Sequence, residues 1–184
     1  MLFRSDDPKG TDAGLKGTPV VLHCAGPFSH TYKAMSDACL RTGVHYLDIT
    51  GEVAVFEALA ARSADALKAK VMLMPGVGFD VVPSDCLAAH LHRRLPGADR
   101  LTLGFQGLGR VSRGTAKTMA ENIHRGTFHR RDGKLIPMPG GPTRRVIDFG
   151  RGPVGAVNIS WGDLSTAWHR TKIPNIEVFS VFPK

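Results

Sequence analysis

Several classes of protein are excluded by what this chain lacks. Its 184 residues hold only three cysteines, Cys24, Cys39 and Cys86. Three is an odd number, and none of their spacings approaches CxxC, so neither a disulfide framework nor a cysteine zinc site can organise the fold. All three are expected as free thiols, buried as small hydrophobes in a reducing cytoplasm. No apolar run approaches the roughly 18 residues of a membrane span. The opening MLFRSDDPKG has no apolar stretch of the secretory kind. A cytoplasmic protein without a membrane partner is therefore expected.

Aromatic residues are sparse at 7%, and acid is scarce in one place. The net charge of +8 comes almost wholly from residues 110–151, where ten Lys/Arg face three Asp/Glu. The basic stretch over 125–131, with Lys134, Arg144 and Arg145, could suggest nucleic acid. Phe128 is the only aromatic residue between Phe105 and Phe149, so the interleaved rings of a single-strand binder are missing. A solvated hairpin face is expected instead, or a basic rim that attracts an anionic or acyl-carrier substrate. The eight histidines form no ligand set. His90 and His92, two apart on a predicted helix, face different ways, and His124 and His129 flank Gly126 without a third ligand. No metal is expected.

The first half alternates strand and helix signals. Val20-Val21-Leu22-His23-Cys24-Ala25 predicts a short strand buried on both faces, as in a parallel sheet; Gly26-Pro27 ends it. Ala34, Met35, Ala38 and Cys39 share one face of a helix over 32–42, with Gly43 as terminator. His45-Tyr46-Leu47-Asp48-Ile49 predicts the next strand. Val53, Phe56, Leu59, Ala60 and Leu67 predict one helix up to about residue 69. Val71-Met72-Leu73-Met74 predicts a third strand before the turn Pro75-Gly76-Val77-Gly78. Pro83 suits the first turn of a further helix, with Leu87, Leu91 and Leu95 as its apolar stripe. Trp161 and Trp168 are expected in a second core.

After Arg100, Leu101, Leu103 and Phe105 alternate with Thr102, Gly104 and Gln106, which predicts a strand with one exposed face. Ser112 caps a predicted helix over 113–125. Asp132-Gly133 is a hairpin turn signal, and strands are predicted at 145–149, 154–161 and 176–182. The expected fold class is α/β: a partial Rossmann-like parallel sheet over residues 1–98, followed by an α+β domain with a mixed or antiparallel sheet over 99–184.

Three predicted strands of the first half end in small or polar residues: Cys24-Ala25-Gly26-Pro27, Asp48-Ile49-Thr50-Gly51-Glu52 and Gly76-Val77-Gly78-Phe79-Asp80. Ligands of open parallel sheets bind outside the carboxyl ends of strands, and glycine there permits close approach. Together with Gly43-Val44-His45-Tyr46-Leu47 and Gly78-Phe79-Asp80-Val81-Val82-Pro83-Ser84-Asp85, these segments resemble the saccharopine dehydrogenase-like oxidoreductases. In the second half Arg113-Gly114-Thr115-Ala116, Asp148-Phe149-Gly150-Arg151-Gly152-Pro153, Trp161-Gly162-Asp163 and Ile173-Pro174-Asn175-Ile176 resemble that family's α+β domain.

The resemblance implies a nicotinamide cofactor, NADP or NAD with NADP favoured, and hydride transfer to or from a small-molecule or acyl substrate. It implies Cys24, Ala25, Gly26 and Pro27 near the cofactor's pyrophosphate or ribose, and Gly76, Gly78, Phe79 and Asp80 near its nicotinamide. Asp48, Gly51, Glu52 and Asp85 would line the cleft or brace its loops. Asp80 is the one candidate proton donor; capping the helix that follows is its competing role. Asp85 equally suits a helix dipole.

The Gly-rich pyrophosphate turn with which such proteins open is absent. Gly104-Phe105-Gln106-Gly107-Leu108-Gly109 has another pattern and lies in the second half. The resemblance thus implies an interior portion of a longer enzyme, a weak cofactor binder and inactive alone, with a homodimer as a further expectation. A partner-dependent trans-acting enoyl reductase and a non-catalytic cofactor-binding or structural homologue are the alternatives.

Overall fold

The computed structural model describes residues 7–107, 126–138 and 141–181. The chain divides into two compact units, Met1–Val82 and Pro83–Lys184.

The first unit runs α1 (Pro8–Leu15), β1 (Val20–His23), α2 (Phe28–Thr42), β2 (His45–Asp48), α3 (Val53–Ala60), α4 (Ser63–Ala69) and β3 (Leu73–Met74). The three strands form a parallel sheet in the order β1-β2-β3, with Val20 opposite His45, His23 opposite Asp48 and Leu47 opposite Met74. Alternation along each strand sends Val21, Tyr46 and Leu73 to one face. There they meet Leu15, Ala38, Cys39, Val55 and Leu59 in one core. Gly43 in left-handed conformation stops α2, its N–H returning to the Cys39 carbonyl, as glycine at that place readily does.

Three expectations change here. β1 is not buried on both faces: Val20 is 43% and Leu22 53% exposed, because the core packs on the opposite face alone. The helix expected from residue 53 to 69 is two helices. Arg62 leaves helical geometry between them, and its guanidinium reaches α2, 2.6 Å from Asp37 Oδ1 and 3.0 Å from Ser36 Oγ. Among the thiols only Cys39 is buried, while Cys24 and Cys86 are exposed; burial pushes the Cys39 thiol up to about 12.

The second unit contains α5 (Val82–Arg94, opening at the unit boundary), β4 (Arg100–Gln106), β5 (Phe128–Arg131), β6 (Lys134–Pro137), β7 (Arg144–Asp148), β8 (Pro153–Asn158), α6 (Asp163–Thr171) and β9 (Asn175–Val181). Its mixed sheet has the order β6-β5-β9-β8-β7, with β4 parallel to β9 along its whole length. Leu101, Leu103, Ile176 and Val178 are buried together with Leu164 and Ala167 of α6. The turn between β5 and β6 has positive φ at both Asp132 and Gly133, the geometry that an Asp-Gly pair favours in a tight hairpin.

The apolar stripe of α5 faces outward. Leu87, Leu91 and Leu95 are 54%, 47% and 65% exposed, whereas Ser84, Asp85 and Ala88 are buried. On this polar face Asp85 Oδ2 lies 3.1 Å from Arg170 Nε on α6. The basic hairpin is likewise not a wholly solvated face. Arg130 is 4% exposed, donates to the carbonyls of Leu164 (2.6 Å) and Gly133 (2.7 Å), and stacks 5.5 Å from the Trp168 ring. Trp161 lies 6.2 Å from Phe105, ring to ring. Ser112, the helix expected over 113–125, the 113–116 motif and His124 lie outside the described residues.

Candidate functional site

Parallel pairing brings the carboxyl ends of β1, β2 and β3 to one edge of the sheet, and the loops that follow them are the candidate site. Buried polar side chains fix its floor. Asp48 is fully buried; its Oδ1 accepts from the backbone N–H of Thr50 (2.9 Å) and Gly76 (2.8 Å), and its Oδ2 from the Tyr46 hydroxyl (2.6 Å). The Asp48 carbonyl also accepts from Val77 N–H at 2.8 Å. One residue thereby joins the loop after β2 to the loop after β3. Burial, then the charge of Asp48, pushes the Tyr46 phenol far above its usual pKa, so it stays a donor.

Glu52 performs the same task one loop away. Its carboxylate accepts from the backbone N–H of Phe28 (Oε1, 2.7 Å) and Ser29 (Oε2, 3.1 Å), the first two residues of α2. Those are N–H groups with no partner inside the helix. Pro27 holds the N-cap position and supplies no side-chain bond. Glu52 is itself held by Thr50, whose Oγ accepts from Glu52 N–H at 3.0 Å.

Behind the loop after β1 lies His23, buried against Phe28 and Tyr46. The Thr31 hydroxyl donates to the Ala25 carbonyl at 2.6 Å and stands 2.9 Å from His23 Nε2. Since that hydroxyl has one proton and gives it to a carbonyl, Nε2 must be the donor of the pair. Burial holds the imidazole below its usual pKa, against the pull of Asp48.

The residues singled out from the sequence therefore occupy distinct places. Cys24, Ala25 and Gly26 are exposed, Pro27, Gly51 and Gly78 are half-buried, and Phe79 stands out at 82%. Asp80 is half-buried two residues before α5, and burial raises its carboxyl pKa. Asp48 and Gly76 are buried beneath them. Gly76 has φ 71°, and a Cβ there would run into the Phe56 ring and lie 2.7 Å from Val81 Cγ2. Its own packing demands glycine. Gly26 differs: a Cβ there would meet the Phe28 ring at 3.4 Å and the Phe28 backbone N at 3.8 Å, both ordinary contacts. Asp85 belongs to the second unit, paired with Arg170.

His23, Thr31 and Tyr46 were not legible as site residues. The helix expected over 32–42 begins at Phe28, so its first turn, with Thr31 and the N–H groups that Glu52 receives, lay outside the expected element. Two surface hollows of about 470 and 350 Å³ are lined by charged residues such as Asp37 and Arg41, and by no residue of the three loops. Among the described residues, no group of three His, Cys, Asp or Glu is placed to hold a metal ion. No described helix is long and apolar enough to cross a membrane.

Parallel strands with polar loops gathered at their carboxyl ends make the first unit Rossmann-like. The apo saccharopine dehydrogenase (L-Glu forming) of Saccharomyces cerevisiae shares the fold, with TM-score 0.61 at 12% identity, over 98% of this chain and 44% of that one. No family model matches the chain. A trans-acting enoyl reductase of Mycobacterium leprae (strain TN) is 34% identical over 94 residues, which are 50% of this chain and 22% of that protein. A saccharopine dehydrogenase-like oxidoreductase of Homo sapiens is 27% identical over 92 residues, 50% of this chain and 21% of that protein. A probable mitochondrial saccharopine dehydrogenase-like oxidoreductase of Arabidopsis thaliana is 30% identical over 82 residues, 44% and 18% respectively. Over about half its length the chain is thus homologous to saccharopine dehydrogenase-like oxidoreductases. The matched stretch spans about a fifth of each relative.

Proposed function

We propose that this chain contributes the nicotinamide-side edge of an NAD(P)-dependent oxidoreductase, with NADP as the favoured cofactor. The observation that carries the reading is the convergence of three strand-end loops, exposed at Cys24, Ala25, Gly26, Ile49 and Phe79, over a buried polar floor, in a chain homologous to oxidoreductases. In such enzymes the cofactor supplies the hydride chemistry, and the protein supplies position and electrostatics. The residues of this chain for that task are Cys24, Ala25, Gly26 and Pro27 on one loop and Gly78, Phe79 and Asp80 on another. Asp48 and Gly76 hold the backbone beneath them, and Asp80, whose carboxyl pKa burial raises, is the proposed proton carrier.

The chain has no Gly-rich pyrophosphate turn, so affinity is expected in the millimolar range. Titration with NADPH and NADH, read by backbone amide shifts, should move residues 24–27 and 76–80 first. Shifts scattered over the surface, or none at millimolar cofactor, would remove the reading. Gly26→Ala sharpens the test. The free protein has room for the methyl group, so melting should stay within about 1 kcal/mol of wild type, while the cofactor-induced shifts weaken because a ligand approaching that backbone meets the new Cβ.

The relationship to a trans-acting enoyl reductase favours a second reading, in which the substrate is an acyl chain delivered on a carrier. Turnover by the full-length protein of a carrier-bound acyl substrate, with free small acids inert, would select it. Cofactor binding without oxidation across both substrate classes would instead select a non-catalytic homologue.

A further inference from the structure

We infer that Glu52 is a specificity-determining residue that keeps phosphate off the loop after β1. This rests on reading the strand ends as a cofactor edge. The start of a 15-residue helix is the obvious seat for a phosphate at such an edge, since free N–H groups and the helix dipole both favour an anion. In this protein the seat is already taken. The Glu52 carboxylate receives the first two N–H groups of α2 at 2.7 and 3.1 Å; the residue is 8% exposed, and its own backbone N–H is held by Thr50 Oγ. Two charge-assisted bonds to backbone N–H are strong and well directed, and a second anion entering there would have to displace a carboxylate with little room to turn aside.

Charge around the edge points the same way. The segments 23–29, 48–53 and 74–81 contain Asp48, Glu52 and Asp80 and not one Lys or Arg. A pyrophosphate laid against them would meet repulsion without a counter-charge. A group bearing hydroxyls or an amide would meet the exposed backbone of Cys24, Ala25 and Gly26 without that penalty. The loop after β1 is therefore a seat for an uncharged part of a dinucleotide, and its phosphates must be held by other residues.

The test is amide-resolved titration of the whole chain with inorganic pyrophosphate. In wild type the Phe28 and Ser29 amides should not respond at millimolar pyrophosphate. In Glu52→Ala, which frees both N–H groups, they should shift at a concentration at least tenfold lower than in wild type. Acetate should reproduce the shift by refilling the vacated carboxylate position. Should Glu52→Ala not fold, Glu52→Gln keeps the side-chain shape, removes the charge, and should show a smaller gain in the same direction. Equal responses of wild type and variant, or a saturable wild-type shift at these two amides, would overturn the inference. Reduced nicotinamide riboside, which has no phosphate, serves as the separate arm. It should move residues 24–27 in wild type, and its failure to do so would count against the cofactor reading while leaving the pyrophosphate result to judge Glu52.

Discussion

Each unit fixes its backbone with a buried charged side chain, acidic at Asp48 and Glu52 of the first and basic at Arg130 of the second. In the first, the carboxylates of Asp48 and Glu52 gather backbone N–H groups and so fix the loops at the strand ends. In the second, the guanidinium of Arg130 gathers backbone carbonyls and fixes the β5–β6 turn to the start of α6. Each charge is placed where the backbone presents the complementary dipole. The first unit consequently offers a ligand an acidic edge, although the chain as a whole is basic. Net charge read from composition did not locate the charge that shapes the candidate site.

Replacing each anchor in turn would break this symmetry, and the largest effect is expected at Asp48. Asp48→Ala strands two backbone N–H groups and the Tyr46 hydroxyl, and should cost about 4 kcal/mol, measured by urea unfolding. The loss should fall on the first unit. A change below about 1 kcal/mol would mean that water replaces the carboxylate and that the floor is not rigid. Arg130→Lys should cost about 2–3 kcal/mol despite keeping the charge, because an ammonium cannot reproduce two diverging N–H bonds and the stacking on Trp168. Full stability in that variant would show that charge alone suffices there.

Acidity offers a subtler comparison. His23 has a folded pKa held below the ordinary 6.5 by burial, so the unfolded chain binds the proton more readily. Its contribution is complete above about pH 6.5 and is lost as pH falls from there through the lower folded value. The slope reaches at most about 1.4 kcal/mol per pH unit. Melting of the first unit between pH 7 and pH 5 should show this loss, and His23→Gln should flatten it; parallel curves would exclude His23 as the cause.

The smallest effect is expected at His129. It is buried on β5 with neither ring nitrogen hydrogen-bonded to the protein. His129→Leu removes two unsatisfied polar atoms, and stability should change by less than about 1 kcal/mol or rise.

Much of this architecture was legible in the residues because local pattern and tertiary structure agree. The runs expected as strands over 20–25, 45–49 and 71–74 became parallel strands of narrower bounds, Val20–His23, His45–Asp48 and Leu73–Met74, Gly43 stopped α2, and Asp132-Gly133 turned a hairpin. Failures arose where one long-range interaction overrode a local pattern. Arg62 reaching to α2 split a helix, and Arg130 was drawn inside by the Leu164 carbonyl far along the chain; α5, besides, buries Ser84, Asp85 and Ala88 in place of its leucines. α1 and α6 were not foreseen. α6 ends on Lys172 in left-handed conformation, where glycine would have marked the stop. In the site, the loop residues were singled out by the small and polar strand ends and by the family resemblance. The bracing by Asp48 and Glu52 depends on which N–H groups come within reach, and spacing does not encode that.

The half-covered parallel sheet has a consequence for handling the protein. Val20, Leu22, Ile49, Met72 and Met74 are exposed, and among the described residues β1 is an edge strand. Apolar surface beside unpaired backbone donors and acceptors promotes nonspecific strand-to-strand association. The chain therefore carries a built-in concentration limit, one that tightens as added kosmotropic salt strengthens the drive to bury that surface.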